Sequence, residues 1–283
     1  SFPVQGTIED DPLRKIDGSV AGLGYNYTKA LTTLGSEVNL LAMVGSDYFG
    51  QLIYNKLRNE AIDDQYVLKK LSETPQSIVL YDQTGQRKLY LDFKNLSQQQ
   101  YPVELFVEAV KECSLVCLST VDFSRPLLTR AEQLNKTIAV DLQIISSLED
   151  TRKQKFMSQA DILFMSGDKL PTTPEEWVKK VVAKYQTEII VIGLGAKGVH
   201  MSVREDNFIE RIPAVKTRKV VNTIGAGDAL FSSFLHFYNQ TKDPYLAIKK
   251  AVVFASYKIG ASTAAEGFLS EEELNSLYEE VAN

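Results

Sequence analysis

Asn222-Thr223-Ile224-Gly225-Ala226-Gly227-Asp228 joins a small-residue loop to an apolar-periodic segment and leaves a carboxylate at the junction. Phosphoryl transfer to an alcohol needs such an arrangement. Gly225, Ala226 and Gly227 let backbone N–H groups converge at a helix N-terminus, where unpaired donors and the positive end of the helix dipole favour phosphate oxygens. Asp228 stands where it could accept a hydroxyl proton while those amides stabilise charge on the transferred group. The same Gly-x-Gly-Asp string also makes an ordinary turn and helix start, and the residues alone leave both readings open.

Three further stretches carry glycines beside polar groups. Gly22-Leu23-Gly24-Tyr25-Asn26 offers close backbone approach next to an amide that both donates and accepts, which suits vicinal hydroxyls. Gly45-Ser46-Asp47 follows an apolar run; Gly45 could approach a ligand, and Asp47 is placed to cap a helix beginning near Phe49. Gly193-Leu194-Gly195-Ala196-Lys197-Gly198 has the spacing of a dinucleotide fingerprint. It precedes Val199-His200-Met201-Ser202-Val203 instead of a helix, so strand, turn, strand fits better than a dinucleotide site.

The elements that must position these residues alternate. Helices are expected to end at Ala30–Leu34 and to cover 48–59, 102–111, 175–185 and 244–259, with Phe49, Leu52, Ile53 and Leu57 on one side of the second. Strands are expected at 38–44, 115–118, 137–142, 162–165 and 188–193. This alternation indicates βαβ units, hence an α/β, three-layer core with a mainly parallel sheet. Residues 76–82 and 87–92 break the pattern by flanking Gln83-Thr84-Gly85-Gln86 as an antiparallel hairpin, which on its own reads as surface ornament.

A chain of 283 residues that is 44% hydrophobic can bury a large core. Its formal net charge of −5 and the lack of a basic run argue against a nucleic-acid surface. Cys113 and Cys117, four apart in an apolar run, suit buried thiols better than a disulfide or a metal pair. His200 and His236 belong to no ligand cluster, and Trp177 sits in a first helical turn. With no run of 18 apolar residues and no cationic leader, a cytoplasmic protein without a membrane partner is expected.

Asn222 to Asp228 and the helix after it resemble the C-terminal signature of the ribokinase-like, or PfkB, carbohydrate kinases. Gly22 to Gly35, followed by Val44 to Gly50, resembles the N-terminal signature, and the similarity extends from about residue 2 to the C-terminus. The resemblance implies a three-layer ribokinase-like core with a small β lid: residues 1–16 as an N-terminal lid segment, 17–76 as the first part of the core, 77–93 as the lid hairpin, and 94–283 as the second part, with the nucleotide and catalytic sites. It implies ATP and Mg²⁺, with Asp228 as the base and Gly225, Ala226 and Gly227 as the anion hole. Gly22, Asn26 and Gly45 would face a sugar or nucleoside. Asp141, Lys169, Gly193, Gly195, Gly198 and Gly260 would lie beside the nucleotide, with Ala251 and Ala255 admitting adenine. The lid often serves relatives as a dimer surface, so a homodimer is implied. A nucleoside kinase, with Tyr25 or Tyr27 stacking on a base, and a catalytically silent sugar- or nucleotide-binding sensor are the alternatives.

Departures from the family pattern bear on the phosphate and metal network. The usual Asp at 222 is Asn222, which removes a charge from a loop that in many relatives helps hold a monovalent cation. The Asp-x-Asn pair becomes Asp141-Leu142-Gln143, and Asn-x-x-Glu becomes Ser166-Gly167-Asp168-Lys169, so a cation replaces a Glu that organises Mg²⁺ waters; Lys169 could contact phosphate instead. Ala21 replaces one of two paired glycines. Relatives open with a strand ending in an Asp that grips substrate; Phe2 to Gly6 resembles the segment after that strand, and Asp10, Asp11 and Asp17 stand elsewhere. The natural product is therefore expected to carry further residues upstream.

Overall fold

The computed structural model describes residues 18–81 and 87–282. The expected N-terminal lid segment, the three acids at 10, 11 and 17, and the hairpin turn lie outside them. Along the chain run α1 (Leu23–Thr33), β1 (Ala42–Gly45), α2 (Tyr48–Asn59), β2 (Val67–Leu71), β3 (Gln76–Tyr81), β4 (Arg87–Asp92), α3 (Val103–Val110), β5 (Leu115–Ser119), α4 (Arg125–Gln133) and β6 (Thr137–Ile144). Then come α5 (Thr151–Gln159), β7 (Ile162–Ser166), α6 (Pro174–Lys184), β8 (Ile189–Gly193), β9 (Val199–Val203), β10 (Phe208–Ile212), α7 (Ala226–Thr241), α8 (Pro244–Lys258) and α9 (Glu271–Ala282).

β7 and β8 are apolar on both faces because helices cover the sheet from both sides. The sheet has six strands in the order β10-β9-β8-β7-β6-β5, with β5 to β8 parallel and β9 and β10 antiparallel. On one face Phe164, Val191 and Met201 join Phe231, Phe234 and Ala251 of α7 and α8. On the other, Leu163, Met165 and Ile190 join Phe106, Leu128, Phe156 and Trp177 of α3 to α6. The result is the three-layer α/β core that the alternation implied, and β8 and β9 form the expected strand-turn-strand around Gly195–Lys197.

Two local expectations are corrected. Within the run 38–44 only Ala42 onward is strand, because β2 pairs with it only there, in a separate parallel two-stranded sheet. Residues 38–41 instead line a cleft of about 530 Å³ together with Leu115 to Ser119 and α7. In α2 the buried side is Gly50, Tyr54 and Leu57, while Phe49 and Leu52 are exposed. Gly50 dictates that rotation: a Cβ there would fall 2.0 Å from the Gly45 carbonyl, so the helix can seat only its glycine against β1.

β3 and β4 pair antiparallel from Gln76 with Asp92 to Tyr81 with Arg87, as a sheet of their own. Ile78, Leu80, Leu89, Tyr90 and Leu91 are all exposed on it. A two-stranded ribbon with that surface gains stability only by covering something.

The joint between α1, the sheet and α7 is aromatic. Phe231, fully buried, meets Tyr27 and Phe164 edge-on, with ring centroids 5.1 and 5.0 Å away. Phe231→Ala is expected to cost about 3–5 kcal/mol of stability in urea denaturation. A loss below about 1 kcal/mol would show that this joint does not hold α7 in place.

Candidate active site

The loop before α7 is stitched to the end of α8. The amides of Val221 and Asn222 both donate to the Ile259 carbonyl, at 2.8 and 3.0 Å. Asn222 Nδ2 donates to the Ser262 carbonyl at 2.8 Å, and its Oδ1 accepts from the Ile224 amide at 2.9 Å. Gly225 then turns the chain in the left-handed region, φ 76° and ψ 7°, and a Cβ there would lie 2.4 Å from the Ala264 carbonyl. Only glycine fits. The Ala226 amide, expected to face an anion, is taken by the Thr223 carbonyl at 3.2 Å. The amides of Gly225, Gly227 and Asp228 have no acceptor among the described residues. They lie at the N-terminus of the sixteen-residue helix α7, where the dipole draws anions.

Asp228 is 7% exposed. Its Oδ2 accepts from Asn26 Nδ2 at 2.6 Å, so α1 delivers Asn26 to the carboxylate and leaves Asn26 Oδ1 as a buried acceptor without a partner among the described residues. The next residue on α1, Tyr27, donates its hydroxyl to Asp141 Oδ2 at 3.2 Å. Asp141 also accepts from the Gln143 amide at 2.8 Å and from the Gln143 side chain. Gln143 can fold back because it sits at φ 56°, where the β6–β7 register shifts. Asp228, Asn26, Tyr27, Asp141 and Gln143 thus form one group at the C-terminal ends of the parallel strands, where open α/β sheets place their ligands.

Burial governs the charges. It pushes the Asp228 carboxyl up, against the pull of the Asn26 amide, the Lys258 charge and the Gln143 amide. It raises Asp141 to about 6, against the Gln143 amide and with the Asp228 charge adding to the rise. Lys258, fully buried at the end of α8, is lowered to about 8 by burial, against the attraction of Asp228. It donates to the Ile224 carbonyl. The sequence reading missed Lys258, although Ala247, Ala251, Phe254 and Lys258 share one buried helical face and so announce a lysine on an apolar stripe.

The expected nucleotide residues divide. The Ser166–Lys169 loop touches the glycine loop, Gly167 N donating to the Gly193 carbonyl at 2.9 Å. Gly195, at φ 57°, has nothing within 4 Å of a Cβ, whereas Gly198 is pressed against 212–214 by the chain itself. Asp168 and Lys169 are exposed, and no hydrogen bond joins them to the Asp228 group among the described residues. Gly260 makes room for Arg218, whose Nε would be 2.1 Å from a Cβ and whose guanidinium lies 3.7 Å over the Tyr257 ring. Gly45 is likewise filled from within: its amide donates to Thr74 Oγ1 at 3.0 Å, and a Cβ would meet Thr74 N at 2.5 Å. Asp47 caps α2 through the Gly50 amide, as expected. Gly22, N-cap of α1 at φ 119°, faces open space. Ala251 packs in the core. No cluster of three His, Cys, Asp or Glu side chains is set to hold a metal among the described residues, whose helices are also too short or too polar to cross a membrane.

The model of the pfkB family of carbohydrate kinases matches residues 10–271. The chain belongs to that family. A deoxyribokinase of Salmonella typhi is 24% identical over 289 residues, covering 97% of this chain and 92% of its own. Among solved structures, a microbiome-derived acarbose kinase superposes with a TM-score of 0.81 at 23% identity, over 96% of this chain and 94% of its own. A putative ribokinase II from E. coli, in complex with ATP and Mg²⁺, gives 0.79 at 18%, over 97% and 94%. The ribokinase-like core with a small β lid is the fold of this chain, and it is a kinase.

Two outcomes are expected of this kinase. Gly227→Ala meets no protein atom within 4 Å and removes a helical glycine, so its stability should be unchanged or raised by up to about 1 kcal/mol while turnover falls, because the methyl enters the space over the unpaired amides. Normal kcat would remove those amides from the chemistry. Burial raises both Asp228 and Asp141, the latter to about 6, so kcat should fall with protonation of this pair on a limb above that of an ordinary carboxylate. The ordinary carboxylate limb lies near ~4. Asp141→Asn should move the limb to lower pH by removing a neighbouring negative charge; a limb unmoved in this variant would uncouple the two groups.

Proposed function

We propose that this chain transfers the γ-phosphoryl group of ATP to a hydroxyl of a sugar or sugar-like alcohol, with Asp228 accepting the hydroxyl proton. The observation that carries the reading is the buried Asp228 carboxylate in the first turn of α7, held by Asn26 beside amides that have no acceptor among the described residues. Asn26 engages one carboxylate oxygen and leaves the other for the acceptor alcohol. The alcohol oxygen then bonds to the γ-phosphorus as its proton passes to Asp228 and the bond to ADP breaks. The amides of Gly225, Gly227 and Asp228 hold the phosphoryl oxygens in transit. Mg²⁺ would enter with the nucleotide, carried by phosphates and water and neutralising charge on them. Lys169, exposed in the loop after β7, would reach the same phosphates.

The deoxyribokinase and acarbose kinase likenesses favour a sugar. So do the tyrosines: Tyr25 and Tyr27 are buried, with hydroxyls bonded to Glu60 and Asp141 and the Tyr27 ring against Phe231, so neither offers a face for a nucleobase. The exposed apolar side chains of β3 and β4, with Phe93 beside them, suit a lid closing over the substrate and pairing with a second copy.

Asp228→Asn is expected to lower turnover roughly 10²–10⁴-fold while ATP affinity by calorimetry stays near that of the parent. The assay is acceptor-dependent ADP release over pentoses, hexoses, sugar phosphates and nucleosides, with and without Mg²⁺. Turnover of the variant at the parent rate would remove Asp228 as base. Tight ligand binding by the parent with no acceptor-dependent ADP would make the chain a sensor.

A further inference from the structure

Many relatives hold a monovalent cation near the loop that precedes the anion hole, and the residues around that loop here can be tested for such a site. They do not fit one. Position 222 is a neutral amide, and its two polar atoms are spent on the Ser262 carbonyl and the Ile224 amide. The Ile224 carbonyl, the backbone acceptor next to Gly225, already receives the Lys258 ammonium. Lys258 has no exposed surface. A metal ion on the same carbonyl would be in contact with a buried like charge, at a place where water cannot screen the two.

We infer that the Lys258 ammonium is a built-in cation that fixes the anion loop, so that this kinase works without a monovalent metal ion. The geometry says how. A trans peptide points its C=O and the following N–H in opposite directions. Holding the Ile224 carbonyl back toward α8 therefore aims the Gly225 N–H the other way, out of the loop, and that amide has no acceptor among the described residues. The left-handed Gly225 that follows then leads into the first turn of α7. The same ammonium attracts the Asp228 carboxylate, while Arg218 and Glu266 are the other charges that act on it. Lys258 is a positioning residue: it touches neither the acceptor nor the phosphoryl group, and acts through the Ile224–Gly225 peptide.

The inference rests on the kinase reading, and the experiment separates the two. The parent, Lys258→Ala and Lys258→Met are compared in choline, sodium, potassium and ammonium chlorides at equal ionic strength, by melting temperature and by acceptor-dependent ADP release. The parent should differ less than about twofold in kcat across the salts, with no melting shift specific to potassium. Release of the Ile224–Gly225 peptide, which misaims the Gly225 donor, should cost each variant roughly 10²-fold in kcat, with KM for ATP changed much less. In Lys258→Ala, potassium or ammonium should restore part of kcat and raise the melting temperature, because the vacated space can take a cation. In Lys258→Met, whose side chain fills that space, neither should. Several-fold stimulation of the parent by potassium, a potassium-specific rise in its melting temperature, or parent-like kcat in Lys258→Met would overturn the inference. If the parent releases no ADP with any acceptor, the kinase reading has failed, and the melting series alone still decides whether Lys258 occupies the cation's place. If neither variant folds, the parent's own salt series decides it.

Discussion

A carboxylate held almost out of water at the start of α7 is the constraint on which the rest of the structure depends. Left alone, Asp228 would take up a proton, since burial penalises the charged form. Three elements answer that cost. α1 brings an amide to one oxygen, α8 brings a buried ammonium into range, and the unpaired amides of α7 itself add their dipole. Each contribution requires its element to be fixed, so the packing of α1, α7 and α8 on the sheet is part of the electrostatics.

The sheet supplies the second carboxylate by a local irregularity. Had β6 continued in regular register through Ile144, Gln143 would have shared a face with Asp141 but stood roughly 7 Å further along the strand, with its amide turned toward a neighbouring strand. The left-handed turn at Gln143 brings both its amide and its side chain back to Asp141. Tyr27 links that group to α1, and its ring rests on Phe231 one helical turn beyond Asp228. Core packing and site polarity therefore share residues, and a change in one moves the other.

The parts legible in the sequence were those set by local rules. Apolar runs spaced by amphipathic segments gave the α/β layers, and the glycines before Asp228 marked a backbone that must turn left-handed and then start a helix. What could not be read depended on which neighbour fills a space. Gly260 and Gly45 looked like openings toward a ligand, yet Arg218 and Thr74 occupy them. α2 had a credible apolar stripe, but the contact of Gly50 with β1 turned the helix by its smallest residue. Asn26 looked fit for substrate hydroxyls, and only tertiary proximity to a residue about two hundred positions away showed where its amide goes.

Asn222 and Lys258 gain their meaning together. A carboxylate at 222 would lie in a loop whose backbone is bonded to Ile259, next in sequence to Lys258, and would draw the ammonium into an ion pair. That pull would compete with the Ile224 carbonyl for the same three donors, and would release the peptide whose orientation sets the Gly225 amide. A neutral amide bonds the loop without that competition, because its Oδ1 takes the Ile224 amide and its Nδ2 the Ser262 carbonyl. The neutral amide at 222 and the ammonium at 258 therefore act together on the loop, and the positive charge beside it belongs to the chain itself.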